Sequence, residues 1–225
     1  MAVIHHTTLK PTKLELLTEW LPSRPWYRGG SGTPRPEKAG GFRLDDPQGE
    51  VGIEFMVVAD AATAYLVPLT YRSAPLDGAE HALVGTTEHG VLGKRWVYDA
   101  CHDPVAVAQL LALAEGRVQA QDQNTSDVPD PEVVAAYTGR APLTAADIIT
   151  ADDPSGTALT TPDGTTVRLR RVLEPGQVPE GAIGHVTGSW QLPDGSRAGG
   201  PFAVVHSAQQ ARLYARGEAV PDVSA

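Results

Sequence analysis

Two short turn segments separate three apolar runs in the first third of the chain. The runs cover residues 38–44, 51–59 and 63–71, and the links between them are residues 45–49 and 60–62. Antiparallel strands can be joined by such tight turns, whereas parallel strands need a crossover of a dozen or more residues. The spacing therefore predicts an antiparallel meander of three strands.

Two helices are predicted beside this meander. Leucines recur at helical spacing within residues 11–21, where Thr12 can cap the start and Pro22 ends the helix. A second helix is expected to begin after Asp103 and to cover residues 104–115, because proline is well tolerated at the first helical position.

The second half of the chain has the pattern of a separate β-rich region. Residues 117–131 are rich in Gln, Asp, Ser and Pro, which is typical of a linker, and we place the boundary near Asp130. The strands predicted beyond it cover residues 147–150, 157–161, 165–173, 184–192 and 202–206.

The predicted fold class is therefore α+β. An antiparallel-sheet lobe with flanking helices is expected at residues 1–130, followed by a smaller β-rich lobe at residues 131–215 and a disordered tail at residues 216–225.

Charge and composition exclude several classes of function. The formal net charge of −9 disfavours nucleic acid as a partner, because such a field repels phosphate backbones. The single cysteine, Cys101, excludes an internal disulfide and is expected to be a small buried side chain. The chain starts without a basic segment followed by an apolar run, and the apolar residues 105–114 are too few to cross a bilayer. We therefore expect a cytoplasmic protein without membrane contact.

An ordered set of short motifs connects the first half to a known family. The set consists of Trp20-Leu21, Ser23-Arg24-Pro25-Trp26-Tyr27, the paired strands at residues 51–71, Trp96-Val97-Tyr98-Asp99-Ala100 and the helix after it. From about Leu14 to Ser126, this order resembles the N-terminal cap of maltokinases. The chain is similar to actinobacterial proteins that carry such a domain alone, and residues 1–130 are predicted to be a maltokinase N-terminal cap-like domain.

The same resemblance argues against kinase activity. In the full kinases, the cap precedes a protein-kinase-like body that phosphorylates maltose from ATP, and residues 123–126 resemble the polar loop where that body begins. Phosphoryl transfer needs a cation on the nucleotide phosphates, a carboxylate near the sugar hydroxyl and oxygen ligands for magnesium. No lysine follows the loop, and neither a His-Gly-Asp catalytic loop nor a later metal-binding motif is present. We predict a protein that is not an enzyme and has no cofactor.

Other catalytic and metal-binding patterns are also weak. The seven histidines lack ligand spacing on a helix, and only the pairs Glu80-His81 and Glu88-His89 are candidates. The acidic pairs Asp45-Asp46 and Asp152-Asp153 both precede proline, where aspartate is favoured for local turn hydrogen bonds. We therefore predict no catalytic residues and no metal site.

Planar and cationic side chains are the remaining candidates for recognition. Trp, Tyr and Arg dominate interface hot spots, and aromatic faces also bind sugar rings, but the same side chains can pack in a core. The candidate binding residues are Arg24, Trp26, Tyr27 and Arg28, together with Trp96 and Tyr98 on one side of a strand at residues 93–99.

These observations leave three functions open. The leading prediction is a non-catalytic accessory or regulatory protein, linked by its resemblance to maltose, trehalose and glycogen metabolism, that contacts a carbohydrate kinase or a glucan-metabolising enzyme. The alternative is a carbohydrate- or small-ligand-binding module that uses the aromatic residues or a groove between the lobes. An enzyme of unrecognised type is the third. If the second lobe covers the first sheet, the case for a kinase partner weakens.

Overall fold

The computed structural model describes residues 9–30 and 32–211, and the predicted tail at residues 216–225 lies outside them. Two antiparallel sheets form most of the structure. The elements of the first half are β1 (Leu9–Lys10), α1 (Lys13–Trp20), β2 (Glu37–Leu44), β3 (Gly52–Asp60), β4 (Thr63–Arg72), β5 (Leu83–His89), β6 (Gly93–Asp99), α2 (Pro104–Ala114) and β7 (Gln121–Asp122). Those of the second half are β8 (Val134–Tyr137), β9 (Ile149–Asp153), β10 (Gly156–Thr160), β11 (Thr166–Leu169), β12 (Val172–Leu173), β13 (Gly184–Gln191) and β14 (Arg197–His206).

The first sheet has the order β1-β5-β6-β4-β3-β2-β7, and the second has the order β8-β13-β14-β11-β10-β9. The predicted meander is confirmed, since β2, β3 and β4 are consecutive antiparallel neighbours. The short strand β12 is an exception, because it belongs to the second half of the chain but not to the second sheet. It pairs with β4 of the first sheet, where Val172 lies opposite Tyr65.

Both predicted helices begin as expected. At the start of α1, the Thr12 hydroxyl accepts a hydrogen bond from the Glu15 amide (3.2 Å), and the Glu15 carboxylate accepts one from the Thr12 amide (2.7 Å). This reciprocal capping box satisfies two amides that have no partner within the helix. At the start of α2, the Asp103 carboxylate accepts from the Val105 amide (3.0 Å), and Pro104 occupies the first turn.

Each face of the first sheet is covered. Alternate residues of β3 point to opposite sides, so that Phe55 packs in one core cluster and Met56 in another. On the Phe55 side lie α2 and the second sheet, and Phe42 of β2 stacks at a ring-centroid distance of 6.0 Å on Phe202 of β14. On the Met56 side lie α1 and Trp26. The second half of the chain therefore masks one face of the first sheet and also extends it through β12.

The observed fold class differs in part from the predicted α+β class. The antiparallel sheets are as predicted, but the described residues hold only two α-helices, of eight and eleven residues, so the protein is mainly β rather than clearly α+β. The predicted linker is also more ordered than expected, because β7 within it pairs with β2. None of the helices in the described part of the chain is both long enough and apolar enough to span a bilayer.

Candidate functional site

A groove of about 700 Å³ lies where the two sheets meet. One wall is the start of β2, the second is the segment at residues 122–133, and the third is the hairpin of β13 and β14. Its polar lining includes Lys38, Asp122, Asn124, Asp130, Glu132, Ser189 and Arg197. Trp190 and Phe202 supply apolar lining.

A β-bulge shapes the β2 wall. The pairing of β2 with β3 shifts between Lys38 and Gly40, and such bulges locally change the direction of a strand. At Gly41, φ is +131°, and a Cβ atom would lie only 2.3 Å from the Phe55 carbonyl oxygen. Only glycine fits this close approach of two backbones.

Lys38 and Asn124 face each other across one end of the groove. The Lys38 amine donates a hydrogen bond to Asn124 Oδ1 at 2.8 Å. Partial burial lowers the pKa of Lys38. The loop that carries Asn124 is held by Asp122, whose carboxylate accepts from the amides of Asn124 (2.8 Å) and Thr125 (2.7 Å). These hydrogen bonds from backbone amides lower the pKa of Asp122.

A second polar network joins the segment at residues 122–133 to the hairpin of β13 and β14. Glu132 Oε2 accepts a hydrogen bond from the Ser189 hydroxyl (2.6 Å) and also from Arg197. The Ser189 hydrogen bond, together with Arg197, lowers the pKa of Glu132. Nearby, burial raises the pKa of Asp130, and the charges of Glu132 and Asp122 act in the same direction. The groove thus holds carboxylates whose pKa values are shifted in opposite directions.

Gln123 connects the groove to a buried carboxylate in the first sheet. Its amide donates to Glu54 Oε1 at 2.9 Å. Glu54 also accepts from the Lys13 amine (2.6 Å) and the Tyr71 hydroxyl (2.7 Å). Burial alone would raise the pKa of Glu54, but the Lys13 charge and these hydrogen bonds lower it. Glu54 therefore remains a buried anion that fixes the side chain of Gln123.

The lining combines amide, carboxylate, hydroxyl, ammonium and guanidinium groups within one groove. These groups supply hydrogen-bond donors and acceptors side by side. A ligand rich in hydroxyl groups can pair with both kinds at once, since a hydroxyl donates one hydrogen bond and accepts others. The arrangement is suited to a small polyhydroxylated molecule.

Two of the predicted binding residues, Trp26 and Tyr27, make contacts within the fold. Trp26 is completely buried and contacts Trp20 edge-on, with ring centroids 5.8 Å apart. The Tyr27 hydroxyl donates to Asp60 at 2.5 Å. Trp26 thus occupies the core, which is one of the two roles left open by the sequence.

Arg24 and Arg28 remain nearer to solvent. The Arg24 guanidinium lies 4.7 Å from the ring centroid of Trp20. Arg28 Nη1 lies 3.1 Å from Glu174 Oε1, and both of these side chains are more than half exposed. Arg28 therefore links the first half of the chain to the second.

Trp96 and Tyr98 share one side of β6, as predicted, but they lie apart from the predicted binding residues at positions 24–28. Val97 between them packs in the same core cluster as Trp26, so their side chains face the other way. Tyr98 is buried and its hydroxyl accepts from the Leu76 amide at 2.9 Å. The structure therefore divides the six predicted residues into two groups, neither of which lines the groove.

Cys101 and Asp46, the second residue of the acidic pair Asp45-Asp46, have the structural roles expected of them. Cys101 is buried, and burial raises the pKa of its thiol. The Asp46 carboxylate accepts from three amides of the turn that follows it, those of Gln48, Glu50 and Val51.

The residues of the groove were not identified from the sequence. Two signals were present. The polar stretch at residues 123–126 resembles the loop where the kinase body begins, and Glu54 is a carboxylate between the apolar residues Ile53 and Phe55 of β3. Ser189 and Arg197 belong to the other sheet, and their meeting with Lys38 depends on how the sheets pack.

Residues 20–103 match the family model of the maltokinase N-terminal cap domain. No kinase domain family was found in the chain. The match confirms the resemblance within a narrower range than residues 14–126. Lys38 lies inside the matched range, whereas the walls at residues 122–133 and 189–197 lie outside it. The groove is therefore built jointly by the cap domain and the rest of the chain.

Proposed function

We propose that this chain, which carries a maltokinase N-terminal cap domain at residues 20–103, is a non-catalytic accessory protein of maltose and trehalose metabolism that binds a sugar in the groove between its sheets. The observation that carries the proposal is the groove itself, whose lining combines Lys38 of the cap domain with Asn124, Glu132 and Arg197 from outside it.

The class of ligand follows from the chemistry of the lining. Asn124 and Arg197 are exposed at the groove and offer amide and guanidinium donors, while Asp130 offers a carboxylate acceptor. Planar polar groups of this kind pair with adjacent hydroxyls in fixed geometry. The metabolic assignment to maltose or trehalose comes from the cap domain alone.

Binding without conversion is supported by the state of the carboxylates. Asp122 accepts from two loop amides and Glu132 accepts from Ser189 and Arg197, so these groups are already engaged in holding the walls. Catalysis is the competing proposal. It would rest on Asp130 and Glu132, because carboxyl groups with pKa values pushed apart can divide acid and base roles.

Protein contact is the second candidate function. Val91 and Leu92, at the tip of the hairpin of β5 and β6, are 65% and 45% exposed. Exposed apolar side chains at such a tip favour a contact with another protein, and a carbohydrate kinase or glucan-metabolising enzyme is the proposed partner. Because both faces of the first sheet are covered within the chain, this contact would use the tip rather than a sheet face.

Calorimetric titration of the full chain with maltose, trehalose, maltooligosaccharides and glycogen tests the leading proposal. We expect saturable heat with at least one of these ligands, and we expect Asn124→Ala to weaken it. Absence of heat at millimolar sugar would contradict the proposal. Conversion of the bound sugar to a new product, detected by chromatography, would instead favour catalysis.

The second candidate requires a different measurement. Immobilised wild-type protein should retain a carbohydrate kinase or a glucan-metabolising enzyme from its native extract, and a variant with Val91 and Leu92 both replaced by serine should lose it. Equal retention by the variant would argue against contact through the hairpin tip.

A further inference from the structure

A second cluster of ionisable side chains lies at another contact between the two sheets. Asp99 ends β6, His102 follows it in the short turn before α2, and Asp152 lies in β9 of the second sheet. One potential ligand atom from each residue lies within 4.8 Å of the other two. None of the three residues lines the groove.

The two carboxylates are held in place by neighbouring donors. Asp99 accepts from the Cys101 amide at 3.0 Å and from Arg171 Nη2 at 2.7 Å. Asp152 Oδ1 accepts from the Thr157 hydroxyl at 2.5 Å. Outer contacts of this kind orient the ligands of metal sites, and they leave further lone pairs on each carboxylate.

A second histidine orients the imidazole of the cluster. Nδ1 of His102 lies 3.1 Å from Nε2 of His81, and the two rings meet edge-to-face. When Nδ1 of His102 donates this hydrogen bond, Nε2 of the same ring keeps the lone pair that a metal ligand needs.

We propose that Asp99, His102 and Asp152 form a three-ligand site for a divalent transition-metal ion, with Zn²⁺ as the representative ion, that joins the two sheets. One imidazole and two carboxylates are ligands that zinc accepts. Tetrahedral ligands about 2.1 Å from zinc lie about 3.4 Å apart. His102 and Asp152 are both partly exposed, so their side chains can make this approach.

The charges of the cluster are compatible with a bound cation. Arg171 pairs with Asp99 and balances its charge, which leaves the Asp152 carboxylate to balance part of the charge of the metal. Asp99 would bridge Arg171 and the ion. A metal held in this way would bind both the cap domain, through Asp99 and His102, and the second sheet, through Asp152.

Titration calorimetry of the chelator-treated full chain with ZnCl₂ tests the proposal. The sequence also contains the adjacent pair His5-His6, so the readout is the difference between variants rather than zinc uptake alone. We expect one zinc site that His102→Ala and Asp152→Asn each weaken by at least about tenfold. His185→Gln, which replaces a partly buried histidine of β13 outside the cluster, should bind as wild type does.

Thermal unfolding supplies a second readout that does not depend on stoichiometry. An ion that binds only the folded state raises the melting temperature. We expect ZnCl₂ to raise the melting temperature of wild type and His185→Gln, but not that of His102→Ala. Lack of zinc binding by wild type would overturn the proposal, and so would equal binding by His102→Ala and Asp152→Asn.

Discussion

Nη2 of Arg171 lies 2.7 Å from both carboxylate oxygens of Asp99, and both side chains are buried. Asp99 ends β6 of the cap domain, whereas Arg171 lies between β11 and β12 in the second half of the chain. Arg171 also donates to the Thr157 hydroxyl at 2.7 Å and lies 5.1 Å from the ring centroid of Trp26. One guanidinium thus connects the two sheets and lies against the core cluster that contains Trp26.

Replacement of Arg171 by methionine should destabilise the protein strongly, because it leaves the Asp99 carboxylate buried without its partner. Breaking a buried pair from one side costs about 3–5 kcal/mol. Urea unfolding of metal-free protein gives the change in unfolding free energy. Arg28→Met, which removes an exposed ion pair with Glu174, should cost at most about 1 kcal/mol. An equal decrease of the unfolding free energy in the two variants would contradict the role assigned to Arg171.

Replacement of Trp26 by alanine should also cost about 3–5 kcal/mol, since a completely buried indole is removed from the core. Trp96 is partly exposed, so Trp96→Ala should cost clearly less. The comparison by urea unfolding separates a packing role from a recognition role. A Trp26→Ala variant as stable as wild type would show that Trp26 is not a core residue.

The backbone of β2 at Gly41 should not tolerate a side chain. Gly41→Ala places a Cβ atom against the Phe55 carbonyl oxygen at a φ of +131°. We therefore expect the unfolding free energy to decrease by about 1–3 kcal/mol. Gly49 also has a positive φ (+72°) but has no atom within 4 Å of the added Cβ. Gly49→Ala is therefore the matched control, and its unfolding free energy should fall by less.

Stability should decline as the pH falls from 7 to 5. Burial lowers the pKa of His206 in the folded state, with the charges of Arg168 and Arg170 acting in the same direction. Below the unfolded value of about 6.5, the unfolded chain therefore binds more protons than the folded one, and the unfolding free energy decreases.

The variant His206→Gln should flatten this pH dependence. Part of the slope should remain, because burial also lowers the pKa of His102. Unfolding free energies measured in urea at pH 7, 6 and 5 supply the comparison, with His185→Gln as the control. A steeper slope in His206→Gln than in wild type would refute the assignment.

The elements with strong local signals were predictable from the sequence. Thr12 and Asp103 cap the two helices as expected, because their hydrogen bonds form with residues a few positions away. The meander followed from short turns. Strand β5 was missed, since Gly85 and the polar residues 86–89 break the apolar pattern and the strand is only partly buried.

The candidate groove and the buried ion pair could not be predicted in the same way. Arg171 lay within a single predicted strand at residues 165–173, whereas the chain leaves the second sheet there and β12 joins the first. The pairing of Arg171 with Asp99, 72 positions away, is set by the packing of the two sheets. The same packing brings Lys38 and Arg197 to one groove.

Sugar binding by variants of the groove shows whether the groove between the sheets is the binding site. The titration uses the sugar that binds wild type best and compares Asn124→Ala and Arg197→Ala with Arg24→Ala and Arg28→Ala. All four side chains lie at least partly at the surface, so each variant should fold. We predict that each of the two groove variants weakens binding at least about tenfold, which corresponds to a loss of about 1.4 kcal/mol of binding free energy. The two arginine variants outside the groove should bind as wild type does. Unchanged affinity in both groove variants, or a loss confined to Arg24→Ala and Arg28→Ala, would contradict the claim.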